Sequence, residues 1–211
     1  RLAGLFRSLD RGGRWTYSSR GLVNASVWSL ATVPLQPHTL YAGTQERGVF
    51  ESVDQGATWV QRNDGLDPHY VLAAALAGDP LDPGTLYAGL NEAGVGRTVD
   101  GGANWSLMNE GISGLFIEQL AVDPTEPDIV YAGGSFGTTN TSLFRSSDRA
   151  DSWEPVLTGH GVLSIAVAPT EPTTLYVGSD GVLQSSNHGG TWVSYPGLGD
   201  TAITALAVDP R

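Results

Sequence analysis

The stretch Gly48-Val49-Phe50-Glu51-Ser52-Val53-Asp54-Gln55-Gly56-Ala57-Thr58-Trp59 decides the fold. A short apolar segment runs into Ser-x-Asp-x-Gly-x-Thr-Trp, and the chain contains five versions of this phrase. The other four end at Trp15, Trp105, Trp153 and Trp192, so the tryptophans of successive copies lie 44, 46, 48 and 39 residues apart. A repeat of this length indicates an array of similar structural units.

The residue types in the phrase predict a hairpin turn between two strands. The aspartate side chain can accept backbone N–H groups that a turn leaves unpaired. Glycine adopts positive φ without steric cost, and tryptophan can cover the turn with a large apolar ring. We therefore expect these residues to build the fold, in equivalent and mostly buried positions for the tryptophans. They are Asp10, Asp54, Asp100, Asp148, Asn187, Trp15, Trp59, Trp105, Trp153 and Trp192.

Two copies of the phrase depart from the pattern. Asn187 replaces the aspartate, and since an amide oxygen accepts the same hydrogen bond, we expect no structural change there. Ala150 replaces the glycine, which predicts either a different local turn or a strained one.

A second phrase alternates with the first. Leu30–Gly43 reads as an apolar strand, a Pro-x-x-Pro turn and a strand ending in Leu-Tyr-Ala-Gly, and it recurs at Leu76–Gly89, Leu120–Gly133 and Ile165–Gly178. Proline cannot donate to a strand ladder, so each proline pair marks a connection between strands. Together the two phrases predict four strands in each repeat, at about Val27–Val33, Thr39–Gly43, Gly48–Val53 and Thr58–Arg62 in the second copy.

Units of four strands and this length are typical of β-propeller blades, so we predict an all-β propeller of four-stranded antiparallel blades. The first strand of each blade is rich in alanine, which suits a position near the axis. Register against the other copies also makes residues 71–77 a strand, although their alanines favour helix. The predicted array has a half blade at 1–20, blades at 21–62, 63–109, 110–157 and 158–196, and the start of another at 197–211.

The paired phrases resemble the Asp-box, or bacterial-neuraminidase, repeat over nearly the whole chain. Similar repeats occur in sialidases, xyloglucan-active glycosidases, sortilin-type receptors and a photosystem II assembly factor. The resemblance implies Asp-box hairpins and a propeller, but it does not imply one function, because these proteins share blades rather than chemistry.

The ends of the sequence predict a segment of a larger ring. The chain opens on the third and fourth strands of a blade, at Leu5–Asp10 and Arg14–Ser18, and stops after a predicted first strand at Ile203–Val208. The alternative is a closed ring of five blades in which Leu5–Asp10 pairs directly with Ile203–Val208.

The composition limits the partners. A net charge of −11 disfavours nucleic acid and anionic membranes, and no apolar run is long enough for membrane insertion. The chain has no cysteine, which excludes disulfides and thiol chemistry. Three Asn-x-Ser phrases match the glycosylation pattern and favour an extracytoplasmic or secreted protein; they begin at Asn24, Asn104 and Asn140. The oligomeric state is left open.

Strand order places the variable loops on one end of the blades, opposite the repeated turns. We expect a protein or glycan ligand to bind on this loop face, because binding residues concentrate on variable loops. The candidate ligand-binding residues are Glu46, Arg47, Asn91, Glu92, Phe116, Phe136 and Asp180. The aromatic rings among them, together with Tyr70, could stack on a sugar or fold under their own loops.

No convergent catalytic set appears. The Arg-Ile-Pro phrase that the resemblance to sialidases would imply is missing. A glycosidase needs two carboxylates about 5–10 Å apart, and each candidate is more simply explained as a solvated loop carboxylate. These candidates are Glu46, Glu92, Glu118, Asp64, Asp67 and Asp180. The four histidines lack metal-ligand spacing, so neither a metal nor a cofactor is predicted.

Two hypotheses of function follow. The first is a non-catalytic recognition or structural propeller in an extracellular or cell-surface assembly. The alternative is part of a polysaccharide-active glycosidase that resembles the xyloglucan-degrading enzymes.

Overall fold

The computed structural model describes residues 4–23, 25–67, 72–112, 116–136, 140–171, 173–198 and 201–209. These residues form strands and turns, and no helix occurs among them, which confirms the all-β prediction. A two-stranded hairpin is followed by four antiparallel sheets of four strands each. The segment around Ala73–Gly78 is a strand, as its register predicted.

Each sheet is one blade, with its strands hydrogen-bonded in sequence order. The opening hairpin contains β1 (Phe6–Arg7) and β2 (Thr16–Tyr17). Blade 1 contains β3 (Val27–Thr32), β4 (Leu40–Thr44), β5 (Gly48–Ser52) and β6 (Val60–Gln61). Blade 2 contains β7 (Ala73–Gly78), β8 (Leu86–Leu90), β9 (Gly94–Thr98) and β10 (Ser106–Leu107). Blade 3 contains β11 (Phe116–Val122), β12 (Val130–Phe136), β13 (Asn140–Ser146) and β14 (Glu154–Thr158). Blade 4 contains β15 (Ser164–Val167), β16 (Leu175–Ser179), β17 (Gly181–Ser185) and β18 (Val193–Ser194).

The blades pack face to face around an axis. The first strands of successive blades are neighbours: β3 contacts β7, β7 contacts β11, and β11 contacts β15. The hydrophobic core lies between blades, since one buried cluster joins Tyr41 and Val49 of blade 1 to Leu86 and Leu90 of blade 2. Each blade therefore needs its neighbour to bury its apolar faces.

The glycine of Leu-Tyr-Ala-Gly allows this close packing. A Cβ on Gly89 would lie 2.4 Å from the carbonyl oxygen of Ile117 in the next blade. A Cβ on Gly43 would lie 2.5 Å from the carbonyl oxygen of Ala73 in the same way. Only glycine lets one blade's second strand approach the next blade's first strand so closely.

The hairpin between the third and fourth strands of each blade, here called the C–D hairpin, is closed by its own side chains. In blade 1, Asp54 Oδ1 accepts the N–H of Thr58 at 2.8 Å, and Ser52 Oγ accepts the N–H of Gly56 at 2.8 Å. The expected aspartate hydrogen bonds also form in the other hairpins, where Asp10, Asp100, Asp148 and Asn187 accept the N–H four residues later. Hydrogen bonds from the Thr58 hydroxyl, the Thr58 N–H and Ser52 lower the pKa of Asp54 to about 2.

Ala150 keeps the geometry that glycine has in the other hairpins. Its φ is 74°, in the left-handed region that disfavours a Cβ. Of the two predicted alternatives, the strained turn is therefore confirmed, and the turn does not change its conformation. The alanine is fully buried in the apolar cluster that contains Val95 and Trp153. Burial of its methyl group offsets part of the strain.

The tryptophans connect each blade to the one before it. The indole N–H of Trp59 donates to the carbonyl of Ser18 at 2.9 Å, and that of Trp105 donates to Arg62 O at 3.0 Å. Trp153 and Trp192 make the equivalent bonds to Met108 and Val156. Burial of Trp15 was predicted and is wrong: this residue is 62% exposed. Among the described residues no earlier blade lies beside it.

Basic side chains on the third strand of a blade reach forward to the next blade. Arg97 Nη1 donates to the carbonyl of Arg149 at 2.6 Å, and Arg145 Nη1 donates to the carbonyl of His188 at 3.1 Å. Blade 1 carries Glu51 at this position, and there the Tyr41 hydroxyl makes the forward bond, to Gly101 O at 3.0 Å.

The predicted strand at Ile203–Val208 is not formed within the described residues. Ala202 makes a single antiparallel bridge with Asp180, and the N–H of Ile203 donates to Ser179 O at 2.9 Å. A second strand, which supplies the ladder in every other blade, does not pair with this segment. No described hydrogen bond joins it to Leu5–Asp10, and the number of blades in the ring stays a prediction.

Candidate functional site

A cleft opens where the first strands of the four blades begin. Its volume is about 300 Å³, and it is called the axial cleft here. All four blades contribute to its wall, which is lined by Trp28, Ala74, Glu118, Gln119, Val162 and Leu163. Ligand pockets usually start at about this volume, so the cleft suits a single small ring better than a long chain.

β-Bulges place three of these side chains. The strand register skips one residue at Trp28 in β3, at Ala74 in β7 and at Glu118 in β11. A bulged residue has no partner across the ladder and can be aimed away from the regular pleat. Leu163 occupies the equivalent place immediately before β15, where its N–H donates to Gly178 O at 2.8 Å.

The lining combines an aromatic surface with a small number of polar groups. Trp28 is 53% exposed, although it lies on an innermost strand, and it also borders a second cleft of about 440 Å³. Glu118 is exposed, Val162 is buried, and Gln119 and Leu163 are half-buried. Such a surface matches a sugar ring, which has an apolar face and a rim of hydroxyl groups.

The seven residues predicted to bind ligand do not converge on the axial cleft. Glu46 and Arg47 are exposed in the β4–β5 turn, and Asp180 is exposed between β16 and β17. Glu92, with a φ of 55°, lines a separate cleft of about 330 Å³ together with Leu66, Leu107 and Asn109.

Asn91, Phe116 and Phe136, the other three predicted positions, lie on the predicted loop face of the blades. Asn91 is half-buried, and its Oδ1 has no hydrogen-bond partner. Phe116 is 37% exposed at the start of β11, and Phe136 ends β12, with its side chain outside the described set. Tyr70 also lies outside the described residues. Ligand binding by the seven residues stays a prediction.

Sequence reasoning missed Trp28 and Gln119. Trp28 is the one tryptophan outside the repeated hairpin phrase, and that was the available signal. Glu118 was considered only as a loop carboxylate, whereas the structure places it on β11 at a bulge. Among the described lining residues it is the sole carboxylate, so the second acid of a glycosidase pair is not found there.

A third repeated feature holds the turns of the predicted loop face. Asn63 Oδ1 accepts the N–H of Val49 at 2.9 Å, and its Nδ2 donates to Arg47 O at 2.9 Å. Asn109 makes the matching bonds to Val95 and Ala93 in blade 2. The asparagine fixes the turn between the second and third strands, so this turn is rigidly held in both blades.

The described residues contain no group of three or more histidine, cysteine, aspartate or glutamate side chains placed to hold a metal ion. In the same part of the chain, no helix is long and apolar enough to span a membrane.

Comparison with known proteins identifies the architecture. No family model matches the chain. The chain aligns over 92% of its length with the GH74 enzyme of Niastella koreensis, with a TM-score of 0.73, 18% identity and 34% of that chain covered. An ancestral GH74 enzyme gives a TM-score of 0.70 at 21% identity, over 81% of this chain and 24% of that one. The GH74 xyloglucanase from Xanthomonas campestris gives a TM-score of 0.60 at 18% identity, over 92% of this chain and 42% of that one. The fold is a β-propeller.

Two curated proteins are similar in sequence. The chain is 33% identical over 90 residues to the probable oligoxyloglucan-reducing end-specific xyloglucanase of Neosartorya fischeri, over 38% of this chain and 11% of that protein. It is 31% identical over 104 residues to a xyloglucanase of Paenibacillus sp, over 39% of this chain and 10% of that protein. The matched region is therefore about a tenth of each relative.

Proposed function

We propose that this chain is part of a polysaccharide-active propeller related to the xyloglucan-degrading glycosidases, and that its axial cleft binds a neutral sugar ring against Trp28. The observation that carries this proposal is an exposed tryptophan on an innermost strand that lines the same cleft as a carboxylate. The two xyloglucanase relatives supply the glycan class. They favour the glycosidase hypothesis over the non-catalytic one.

We further propose the class of the repeated hairpins and the location of the protein. The C–D hairpins are assigned to the Asp-box class, because each joins an acidic or amide turn residue to a tryptophan. We also propose an extracytoplasmic location, because a polysaccharide is too large to enter a cell intact.

The test is to measure binding of a xyloglucan oligosaccharide by isothermal titration calorimetry. Trp28→Ala is expected to weaken binding about tenfold, which corresponds to a loss of about 1.4 kcal/mol from a stacking ring. Trp15→Ala is the matched control, because Trp15 is similarly exposed but lies outside the cleft. Equal affinity in the wild type and Trp28→Ala would contradict the assignment of the site.

A second candidate, a glycan-binding propeller without turnover, is favoured by the lone carboxylate in the described lining. Release of reducing ends from xyloglucan distinguishes the two. Turnover that depends on residues of this chain supports the glycosidase, whereas binding without product supports recognition alone.

A further inference from the structure

The first strands of the blades keep two apolar positions in common and vary at others. Positions 30, 76, 120 and 165 are leucine or isoleucine, and positions 31, 77, 121 and 166 are alanine in every blade. Two residues earlier than the leucine, the chain has a tryptophan, an alanine, a glutamate and a leucine. These four residues are Trp28, Ala74, Glu118 and Leu163.

The β-bulge explains why the fold tolerates this variation. The neighbours of the bulged residue are paired across the ladder, as Gln119 is with Gly133, while the bulged residue itself is skipped. The preceding residue is buried against the adjacent blade, as Ala73 and Ile117 are. Packing therefore keeps the preceding residue apolar, while the bulged side chain is free of the ladder and can vary.

All four variable residues line the axial cleft. Each blade thus contributes one of these variable residues to the cleft wall, which Gln119 and Val162 complete. A position with this freedom that faces a concave site is suited to select ligands.

Resting on the proposed function, we propose that these four positions set ligand selectivity, and that Glu118 makes the axial cleft select neutral sugar residues against uronates. Glu118 is the only charged side chain among the described lining residues. A carboxylate accepts hydrogen bonds from sugar hydroxyl groups, but it repels the carboxylate of a uronate. The net charge of −11 acts in the same direction at longer range.

The experiment compares two size-matched probes. One is a neutral xyloglucan oligosaccharide, and the other is the same oligosaccharide with part of its primary alcohols oxidised to carboxylates. The wild type is expected to bind the neutral probe about tenfold more tightly at low ionic strength. In Glu118→Gln this ratio should fall to about twofold or less.

Two further variants test the position itself. Ala74→Glu places a second carboxylate at an equivalent bulge and should increase the preference for the neutral probe several-fold. Glu126→Gln removes an exposed carboxylate from the turn between β11 and β12, outside the cleft, and should leave the ratio unchanged.

The outcomes are distinct. A wild type that binds the neutral probe without charge preference, or a Glu118→Gln variant with the wild-type ratio, overturns this inference and leaves the proposed function standing. A wild type that binds neither probe overturns both.

Discussion

Arg149 and Asp79 form an ion pair between neighbouring blades, with Nη2 of the arginine 2.5 Å from Oδ2 of the aspartate. The Asp79 side chain is fully buried, and its other oxygen accepts the N–H groups of Leu81 and Asp82. Both carboxylate oxygens are therefore satisfied. One closes the turn within blade 2, and the other holds the C–D hairpin of blade 3 against it.

Loss of this pair is expected to destabilise the protein. Arg149→Ala leaves Asp79 Oδ2 buried without a partner and should lower the free energy of unfolding by about 2 kcal/mol, a value reduced because Arg149 is partly exposed. Urea denaturation measures the change. Arg11→Ala is the control, since Arg11 has the same hairpin position and a φ of 59° against 61° for Arg149. Equal effects of the two substitutions would show that the ion pair contributes nothing.

Asp123 lacks the partner that Asp79 has. It occupies the same place in blade 3 and is fully buried, its Oδ1 accepts the N–H groups of Thr125 and Glu126, and its Oδ2 has no hydrogen-bond partner. The hairpin position that holds Arg149 in blade 3 holds His188 in blade 4, with a similar φ of 54°.

His188→Arg is therefore expected to stabilise the protein by about 1 kcal/mol, by supplying a charged donor to Asp123. The melting temperature measures the gain. In an Asp123→Asn background the gain should largely disappear. A gain of the same size in both backgrounds would mean that the new arginine acts elsewhere.

Gly89→Ala tests the close approach of blades. Its Cβ would lie 2.4 Å from Ile117 O, so the blades must separate, and we expect a loss of about 2 kcal/mol or more in unfolding free energy. Gly161→Ala is the control, because no atom lies within 4 Å of the position of its Cβ, and it should change stability by less than about 0.5 kcal/mol. Similar melting temperatures for the two variants would contradict the packing described here.

The hairpin aspartates predict an acid-dependent contribution to stability. The pKa of Asp100 is lowered to about 2, first by the Asn104 side chain and then by the Asn104 N–H. The pKa of Asp54 is lowered to about 2 as well. Since both lie below the ordinary value of about 4, the ionised carboxylates stabilise the folded state above about pH 4. This contribution is lost as the pH falls through about 2.

An Asp54→Asn, Asp100→Asn variant isolates this effect, because Asn187 already accepts the same hydrogen bond at 2.8 Å in blade 4. The melting temperature of the wild type should exceed that of the variant at pH 7, and the difference should shrink between about pH 4 and pH 2. A difference that stays constant over this range would exclude the carboxylates as its source.

Repetition is the reason that the fold could be predicted from sequence. The strand at Ala73–Gly78 would be called helix by propensity alone, and its alignment with β3 and β11 corrected that choice. Relations between blades were less accessible. The exposure of Trp15 and the backward hydrogen bond of Trp59 depend on whether another blade lies beside the indole. No local sequence pattern encodes that neighbour.

The candidate site was harder to predict for a related reason. A period of two along a strand does not reveal a bulge, so Trp28 and Glu118 were read as ordinary strand or loop residues. The register shift that turns them toward the cleft appears only when both strands are placed.

The tryptophan bonds define the natural unit of genetic exchange in this array. In the four blades each hairpin indole reaches back to the preceding last strand. The forward bonds come from third-strand arginines in blades 2 and 3 and from Tyr41 on the second strand of blade 1. Recombination between equivalent positions of two C–D hairpins inserts or removes one whole repeat. The tryptophan that follows the junction then meets the same kind of backbone carbonyl, to which its indole N–H donates. Duplications with these breakpoints preserve the tryptophan hydrogen bonds between blades, so the array can grow by whole repeats while the bulged positions diverge independently.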